Sequence, residues 1–236
     1  VAGAASSVAV GCAPLVGRVA DFAGGEEEGQ DEGGQASGNG HRGSLPSSAW
    51  CHGVYAVASH SGARVSDLQH HILLGPEHLT GNGGLGRYVF LPGDRSRAAS
   101  IAASFEDHEV VENPRGLTAH LGRLVVGGAS VDALSISSGM GTASTEIVLH
   151  ELIAAGARRV VRVGSCGALD PNLRPGQVAI LSGAVRDEMA SRHIAPVEFP
   201  AVSHPTAVHS MVLGARAAGV GEEAFLGIGH TKASLY

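Results

Sequence analysis

The feature that most constrains the fold is an alternation of strand-like and helix-like segments that begins near residue 87. The run RYVFL at 87–91 has the apolar and aromatic composition of a buried strand, and it stops at a Pro-Gly-Asp turn, 92–94. Apolar residues then recur at the spacing of one helix face: Ala98, Ile101, Ala102 and Phe105. A strand, a glycine turn and a helix in this order are typical of α/β domains.

The alternation continues toward the end of the chain. Gly127-Gly128, between two strand-like runs, predicts a hairpin, and Gly156 suits the end of the helix that follows. Further strands are predicted at 159–163, 176–183 and 224–229, and a helix from Pro205 that buries Val208, Met211, Val212 and Ala215. We therefore expect an α/β domain with a mixed, largely parallel central sheet flanked by helices, which binds ligands at the carboxyl ends of its strands.

The N-terminal part of the chain has a different composition. Residues 21–48 are rich in Gly and Ser, contain six of the 22 acidic residues and have almost no large apolar side chains. Such a segment buries too little apolar surface to offset the entropy of ordering. We expect residues 1–66 to be a flexible, low-complexity, disordered tail and the folded domain to occupy 67–236.

Composition excludes several classes of protein. A net charge of −6 with 16% charged residues provides no positive field for nucleic acid or an anionic membrane. Cys12, Cys51 and Cys166 show no C-x-x-C spacing, which favours neither disulfides nor zinc and predicts a reducing, cytoplasmic location. No apolar run is long enough to span a membrane, and none of the 13 histidines forms a helical metal-binding pair.

Two segments have the chemistry of an anion site. In Pro92–Arg97, glycine admits an oxyanion to backbone N–H groups at a helix N-terminus, and Arg97 can bind it in a bidentate way. In Arg162–Gly167, an arginine on a buried strand needs a partner, which a phosphate-sized ligand would provide. The alternatives are a tight turn with a surface arginine in the first case and a buried arginine–carboxylate pair in the second.

The loop Ser138–Thr142 resembles a phosphate loop but lacks its lysine, which disfavours binding of nucleoside triphosphates. Close packing of backbone near a ligand, or a plain loop at the start of a helix, explains it better.

Together these motifs resemble the nucleoside phosphorylases of the trimeric and hexameric family, which includes uridine phosphorylase and the bacterial-type purine enzymes. The resemblance covers residues 71–236 in order. It rests on HILLGPEHLT, FLPGDRSRAASIA, NPRGLTAHLG, SSGMGTASTEIVLHELIAAGARRVVRVGSCGALDPNLRPGQVAI and HIAPVEFPAV. The conjunction is specific, whereas no single motif would be.

The resemblance implies a set of site residues. Phosphate would be bound by Gly93, Arg97, Arg162 and Ser165, and by Arg115 of the neighbouring subunit. His71 of the neighbouring subunit would bind a ribose hydroxyl, with His70 and His78 as alternative registers. Arg97 and Arg162 would be catalytic, because they place a phosphate dianion beneath the cationic ribose of the transition state. The site would therefore require a homo-oligomer built from dimers, with phosphate as co-substrate and no metal or cofactor.

Two departures from the family pattern matter. Gly116 stands where uridine phosphorylases commonly carry a glutamate of a monovalent-cation site, so that site is in doubt. The chain also stops at Tyr236, before the residues that read the base and the glutamate that holds the ribose. The base-binding residues are thus expected beyond its end, and residues 1–236 alone are expected to be inactive.

The favoured function is phosphorolysis of a nucleoside to free base and ribose 1-phosphate by a pentosyltransferase of pyrimidine salvage. Uridine is preferred because APVEFPAV at 195–202 is closer to uridine phosphorylases than to purine enzymes. The alternatives are a purine nucleoside phosphorylase, a nucleosidase that uses water, and an inactive nucleoside- or phosphate-binding protein.

Overall fold

The computed structural model describes residues 68–222 and 224–234, and the predicted flexible region 1–66 lies outside them. Its larger sheet has five strands, in the order β2-β3-β4-β1-β5. These strands are β1 (Tyr88–Pro92), β2 (Phe105–Val111), β3 (Ala119–Val126), β4 (Ala129–Ile136) and β5 (Arg159–Val163). A second sheet pairs β6 (Val178–Asp187) with β7 (Ala224–Lys232).

The larger sheet is mixed, which confirms the predicted α/β class. Strand β1 pairs in parallel with β4 and β5, whereas β3 pairs in antiparallel fashion with β2 and β4. Strands β6 and β7 are also parallel. The β3–β4 hairpin turns at Gly127 and Gly128, whose φ angles of 58° and 83° suit the tight turn that the glycine pair predicts.

The helices of the described residues are α1 (Pro76–Leu79), α2 (Arg95–Ala102), α3 (Gly141–Ala154), α4 (Ala190–Ile194) and α5 (Pro205–Ala217). Helix α2 ends earlier than its apolar spacing predicts, because Phe105 is the first residue of β2. Phe105 is buried as expected, but it reaches the core from a strand, beside Ile101 and Leu124. In α5 only Ala215 of the predicted stripe is buried, and the other three residues are half-buried.

The main core lies between α3 and the centre of the larger sheet. Its fully buried side chains include Val89 of β1, Leu134 and Ile136 of β4, and Val148 and Leu152 of α3. Burial of large aliphatic side chains contributes about 1.5–3 kcal/mol each. This packing holds β1 and β4 rigidly side by side, and both strands lead directly into the loops of the site.

A pair of histidines on β2 and β3 makes stability depend on pH. Nε2 of His108 lies 3.1 Å from Nδ1 of His120. Burial lowers the pKa of His120, as does the nearby His108 ring, and Glu112 opposes this only in part. Because the unfolded chain then binds more protons than the folded one, stability falls as pH decreases below the unfolded value of about 6.5.

We expect His120→Gln to lose less stability than the wild type between pH 7.5 and about 5.5, since glutamine takes up no proton. Urea unfolding at both pH values measures the difference. His150→Gln makes the same substitution at an exposed histidine of α3 and is the control for the introduction of a glutamine. If His120→Gln lost as much unfolding free energy as the wild type between the two pH values, His120 would not be the source of the pH dependence.

Candidate active site

Three parallel strands end at the same edge of the larger sheet. Pro92, the last residue of β1, is paired with Val163, the last residue of β5. On its other side β1 pairs with β4, which ends at Ile136. The loops that begin at 93, 137 and 164 therefore leave the sheet together, at the carboxyl edge where α/β proteins bind ligands.

Gly93 and Arg162 lie against each other at this edge. A Cβ atom on Gly93 would be 3.2 Å from Nη2 of Arg162 and 3.4 Å from the carbonyl oxygen of Gly139. Nη1 of Arg162 donates to the carbonyl oxygen of Leu91 at 2.7 Å, which holds the guanidinium across the end of β1. A side chain at residue 93 would thus crowd the guanidinium, which would have to shift by a few tenths of an ångström.

The sequence context of Arg162 predicts a buried strand, and this prediction is wrong in the described structure. Strand β5 is an edge strand of the larger sheet, and Arg162 is exposed to solvent. The protein atoms around the guanidinium still lower the pKa of Arg162, and the charge of Arg97 lowers it further. The two cations therefore lie close enough to repel each other.

Within the described residues, no carboxylate forms an ion pair with Arg97 or Arg162, although hydrogen bonds from Ser96 and, to a smaller extent, the charge of Arg97 lower the pKa of the nearby Asp94. The arginine ion pairs there are those of Arg87 and Arg123. The arginine–carboxylate alternative is thus not found in that part of the chain. Two adjacent guanidinium groups that repel each other bind a multivalent anion favourably, because the anion relieves their repulsion.

The start of α2 offers fewer free N–H groups to an anion than the sequence predicts. The Asp94 carboxylate caps this helix and accepts hydrogen bonds from the N–H groups of Ser96 (3.2 Å) and Arg97 (3.3 Å). The Ser96 hydroxyl donates to the same carboxylate, and these bonds lower the pKa of Asp94. Because the two N–H groups are already bonded, an anion here relies on the guanidinium groups.

A pair of buried serines links the β4 loop to the β1 loop. The Ser137 hydroxyl donates to the carbonyl oxygen of Gly93 at 2.9 Å and accepts from the Gly139 N–H at 3.1 Å. The Ser138 N–H donates to the carbonyl oxygen of Pro92 at 2.7 Å. Ser137 is not among the site residues predicted from the sequence, although its hydroxyl directly after an apolar strand was the available signal.

The loop at Gly139 packs tightly against the Ser144 side chain at the start of α3. We expect Gly139→Ala to destabilise the protein by more than the roughly 1–2 kcal/mol of a left-handed residue alone. The reason is that φ is +70° and a Cβ would lie 2.5 Å from the Ser144 hydroxyl oxygen. Gly127→Ala is the matched control for urea unfolding, because φ is +58° there and nothing lies within 4 Å. Equal losses in the two variants would contradict the packing argument.

Ser165 and Arg115 occupy exposed loops. Ser165 is the second residue after β5, and Arg115 lies in the turn between β2 and β3. Gly116 has a φ of +77°, and a Cβ there would lie 2.9 Å from Nη1 of Arg95. The guanidinium of Arg95 therefore occupies the space where a side chain at residue 116 would begin.

The three candidate histidines have different surroundings. Nδ1 of His71 lies 2.5 Å from Oε1 of Glu151, on α3. Nδ1 of His78 accepts the N–H of Gly75 at 3.0 Å, a local bond at the start of α1. The exposed His70 packs edge-on against His71, with ring centroids 4.8 Å apart.

His71 and Arg115 belong to one hydrogen-bonded group. The side-chain amide of Asn113 donates to the carbonyl oxygen of His71 at 2.7 Å and accepts from the N–H of Arg115 at 2.8 Å. The site residues thus fall into two groups. Gly93 and Arg162 lie together at the carboxyl edge, with Arg97 within electrostatic reach and Ser165 on the adjoining loop, whereas His71 and Arg115 are joined through Asn113.

Two further observations concern metals and membranes. In the ranges 68–222 and 224–234, no group of three or more His, Cys, Asp or Glu residues is placed to hold a metal ion. Cys166 is free and exposed, and Cys12 and Cys51 lie outside these ranges. No helix in the same ranges is long and apolar enough to cross a membrane.

Comparison with known proteins identifies the family of this α/β domain. The chain belongs to the phosphorylase superfamily, whose family pattern matches residues 87–227. The family resemblance expected from the sequence motifs is thereby confirmed.

Two curated relatives are phosphorylases of particular nucleosides. The chain is 39% identical to a uridine phosphorylase of Treponema pallidum over 137 residues, which are 58% of this chain and 49% of the relative. It is 30% identical to a guanosine phosphorylase of Halorubrum lacusprofundi over 140 residues, or 58% of this chain and 55% of the relative. The chain thus spans about half the length of these curated relatives.

A solved structure is similar as well. The purine nucleoside phosphorylase of Toxoplasma gondii, in complex with immucillin-H, superimposes with a TM-score of 0.64 at 29% sequence identity. The match covers 74% of this chain and 66% of that one.

Proposed function

We propose that the protein containing this chain is a pentosyltransferase that cleaves a nucleoside with inorganic phosphate, giving the free base and ribose 1-phosphate, and that uridine is its preferred substrate. The observation that carries the proposal is that Arg162, beside Gly93, lies within electrostatic reach of Arg97 and that neither arginine forms an ion pair with a described carboxylate. The T. pallidum relative and the motif at 195–202 support uridine.

The proposed chemistry uses placement and charge. Phosphate binds between Arg97 and Arg162, close to the backbone of Gly93, with Ser165 as a further hydrogen-bond donor. Arg115 of the neighbouring subunit adds a third cation, and His71 of that subunit holds a ribose hydroxyl. As the glycosidic bond breaks, positive charge develops on the ribose ring, and the fixed dianion stabilises it before bonding to the same carbon. The base leaves with the electron pair of the broken bond and acquires a proton.

A purine nucleoside is the second candidate substrate. It is favoured by the H. lacusprofundi guanosine phosphorylase and the T. gondii structure. A nucleosidase is less well supported, because water as the attacking group needs no pair of arginines. A homo-oligomeric uridine phosphorylase and a homo-oligomeric purine nucleoside phosphorylase would use the same phosphate-binding residues. They would differ in how the base is recognised.

The test is base release from uridine and from inosine by the complete protein, with and without phosphate. We expect release to require phosphate, to yield ribose 1-phosphate and to be faster with uridine. Release at the same rate without phosphate would show a nucleosidase. Faster release from inosine would support the purine alternative, and binding without release would indicate an inactive binding protein.

A further inference from the structure

The carboxylate of Glu151, which the proposed chemistry does not use, binds the backbone and the ring of His71. Glu151 accepts the N–H of His71 (2.9 Å to Oε2) and the N–H of Ile72 (2.9 Å to Oε2). Its Oε1 lies 2.5 Å from Nδ1 of His71. The Glu151 side chain is only 14% exposed, so its carboxylate is largely shielded from solvent.

Glu151 does not stabilise its own helix. It lies in the last turn of α3, which ends at Ala154, where the helix dipole disfavours a negative charge. Burial by itself raises the pKa of Glu151, but the bonds from the His71 ring and from the Ile72 and His71 N–H groups outweigh it and lower the pKa. The charge is therefore stabilised by the segment that it holds.

The same contacts determine which ring nitrogen of His71 carries hydrogen. An ionised carboxylate only accepts hydrogen bonds, so Nδ1 of His71, which faces it, must be the donor. In the neutral ring Nε2 is then left as an acceptor. A nitrogen of this kind can accept a hydrogen bond from a hydroxyl group, which is what the proposed ribose contact requires.

Asn113 holds the other side of this segment. Its side chain is 7% exposed, and its two polar atoms are used in opposite directions: the amide nitrogen bonds the His71 carbonyl, and the amide oxygen accepts the Arg115 N–H. The backbone of His71 is thus held between Glu151 and Asn113. The same Asn113 also holds the turn that carries Arg115.

We propose that Glu151 and Asn113 are positioning residues that present His71 and Arg115 as one unit, with Nε2 of His71 kept free as a hydrogen-bond acceptor for the nucleoside. This inference rests on the proposed function, which supplies the roles of His71 and Arg115. Glu151 orients His71, the residue proposed to bind the nucleoside. Asn113 couples His71 to Arg115, the residue proposed to bind phosphate.

The first experiment does not depend on activity. Solid-state ¹⁵N spectra of the histidine-labelled complete protein report the tautomer, and the resonances missing in His71→Asn assign His71. We expect the Nδ1–H form in the wild type and a shift toward the Nε2–H form in Glu151→Gln, because the glutamine amide can donate to Nδ1. Glu146→Gln, an exposed glutamate on the same helix beside His150, should leave the His71 signals unchanged. A wild-type Nε2–H form, or unchanged signals in Glu151→Gln, would overturn the proposal.

The second experiment separates positioning from a merely structural role. We expect Glu151→Gln to raise the KM for the nucleoside about tenfold with the KM for phosphate unchanged, as for the loss of one well-placed hydrogen bond. Asn113→Ala should raise both KM values. A lowered Tm with both KM values unchanged would refute positioning. If the wild type performs no phosphorolysis, the proposed function fails, and the tautomer measurement still decides whether Glu151 orients His71.

Discussion

Replacing Arg162 by alanine is expected to lower kcat/KM for phosphate by about 10²- to 10³-fold, the size seen when one preorganised contact to transition-state charge is removed. The guanidinium lies beside Gly93, is held by the Leu91 carbonyl and repels Arg97. Its removal takes away half of the arginine pair that would hold the phosphate dianion. Steady-state kinetics with phosphate as the varied substrate measure this.

The matched control is Arg158→Ala. Arg158 directly precedes β5, at the opposite end of the strand from Arg162, is exposed and bonds only the carbonyl oxygen of Gly84. It should keep wild-type kinetics. Arg97→Ala should resemble Arg162→Ala, and the double variant should lose less than the product of the two single losses, because the residues act as one unit. An unchanged phosphate dependence in both single variants would refute the site.

Replacing Leu134 by alanine is expected to lower the free energy of unfolding by about 2–5 kcal/mol, the range for large-to-small changes in a core. Leu134 lies in the middle of the sheet on β4, is 0% exposed and packs in the cluster between the sheet and α3. A cavity here also loosens the strand that leads to Ser137. Urea unfolding gives the loss, and phosphate-dependent activity should fall at temperatures where the wild type is still folded.

Val125→Ala is the control for this change. Val125 lies on β3 and is 43% exposed, so the truncated side chain loses little burial. We expect a change of no more than about 0.5 kcal/mol. Similar losses in Leu134→Ala and Val125→Ala would mean that the core is not centred on β4.

Local sequence patterns predicted most elements correctly where side-chain periodicity and turn chemistry agree. The Gly127-Gly128 hairpin and the helix that ends before Gly156 are examples, and Gly156 has the expected positive φ of 107°. The error at Phe105 arose because an apolar residue one turn beyond a helix has the same spacing whether the helix continues or a strand begins. Only pairing with β3 decides between the two.

The candidate site was predicted in its residue types but not in its connections. Gly93, Arg97 and Arg162 follow strands in the sequence, and parallel pairing of β1 with β5 brings their loops to one edge. The bonds of Glu151 and Asn113 to His71 join residues 80 and 42 positions apart, and no local pattern announces such contacts. The roles of all these site residues in binding and catalysis, those of Gly93, Arg97 and Arg162 included, remain predictions.

By itself, the sequence determined the α/β class and membership of the phosphorylase superfamily, and it predicted Gly93, Arg97 and Arg162 as an anion site. Periodicity and turn residues are local properties, and ordered motifs are read directly along the chain. The tertiary structure alone decided that β5 is an edge strand with Arg162 exposed, that Asp94 occupies the first N–H groups of α2, and that Glu151 holds His71. These depend on strand order and on contacts between distant residues, which come into existence only when the sheet and α3 pack together.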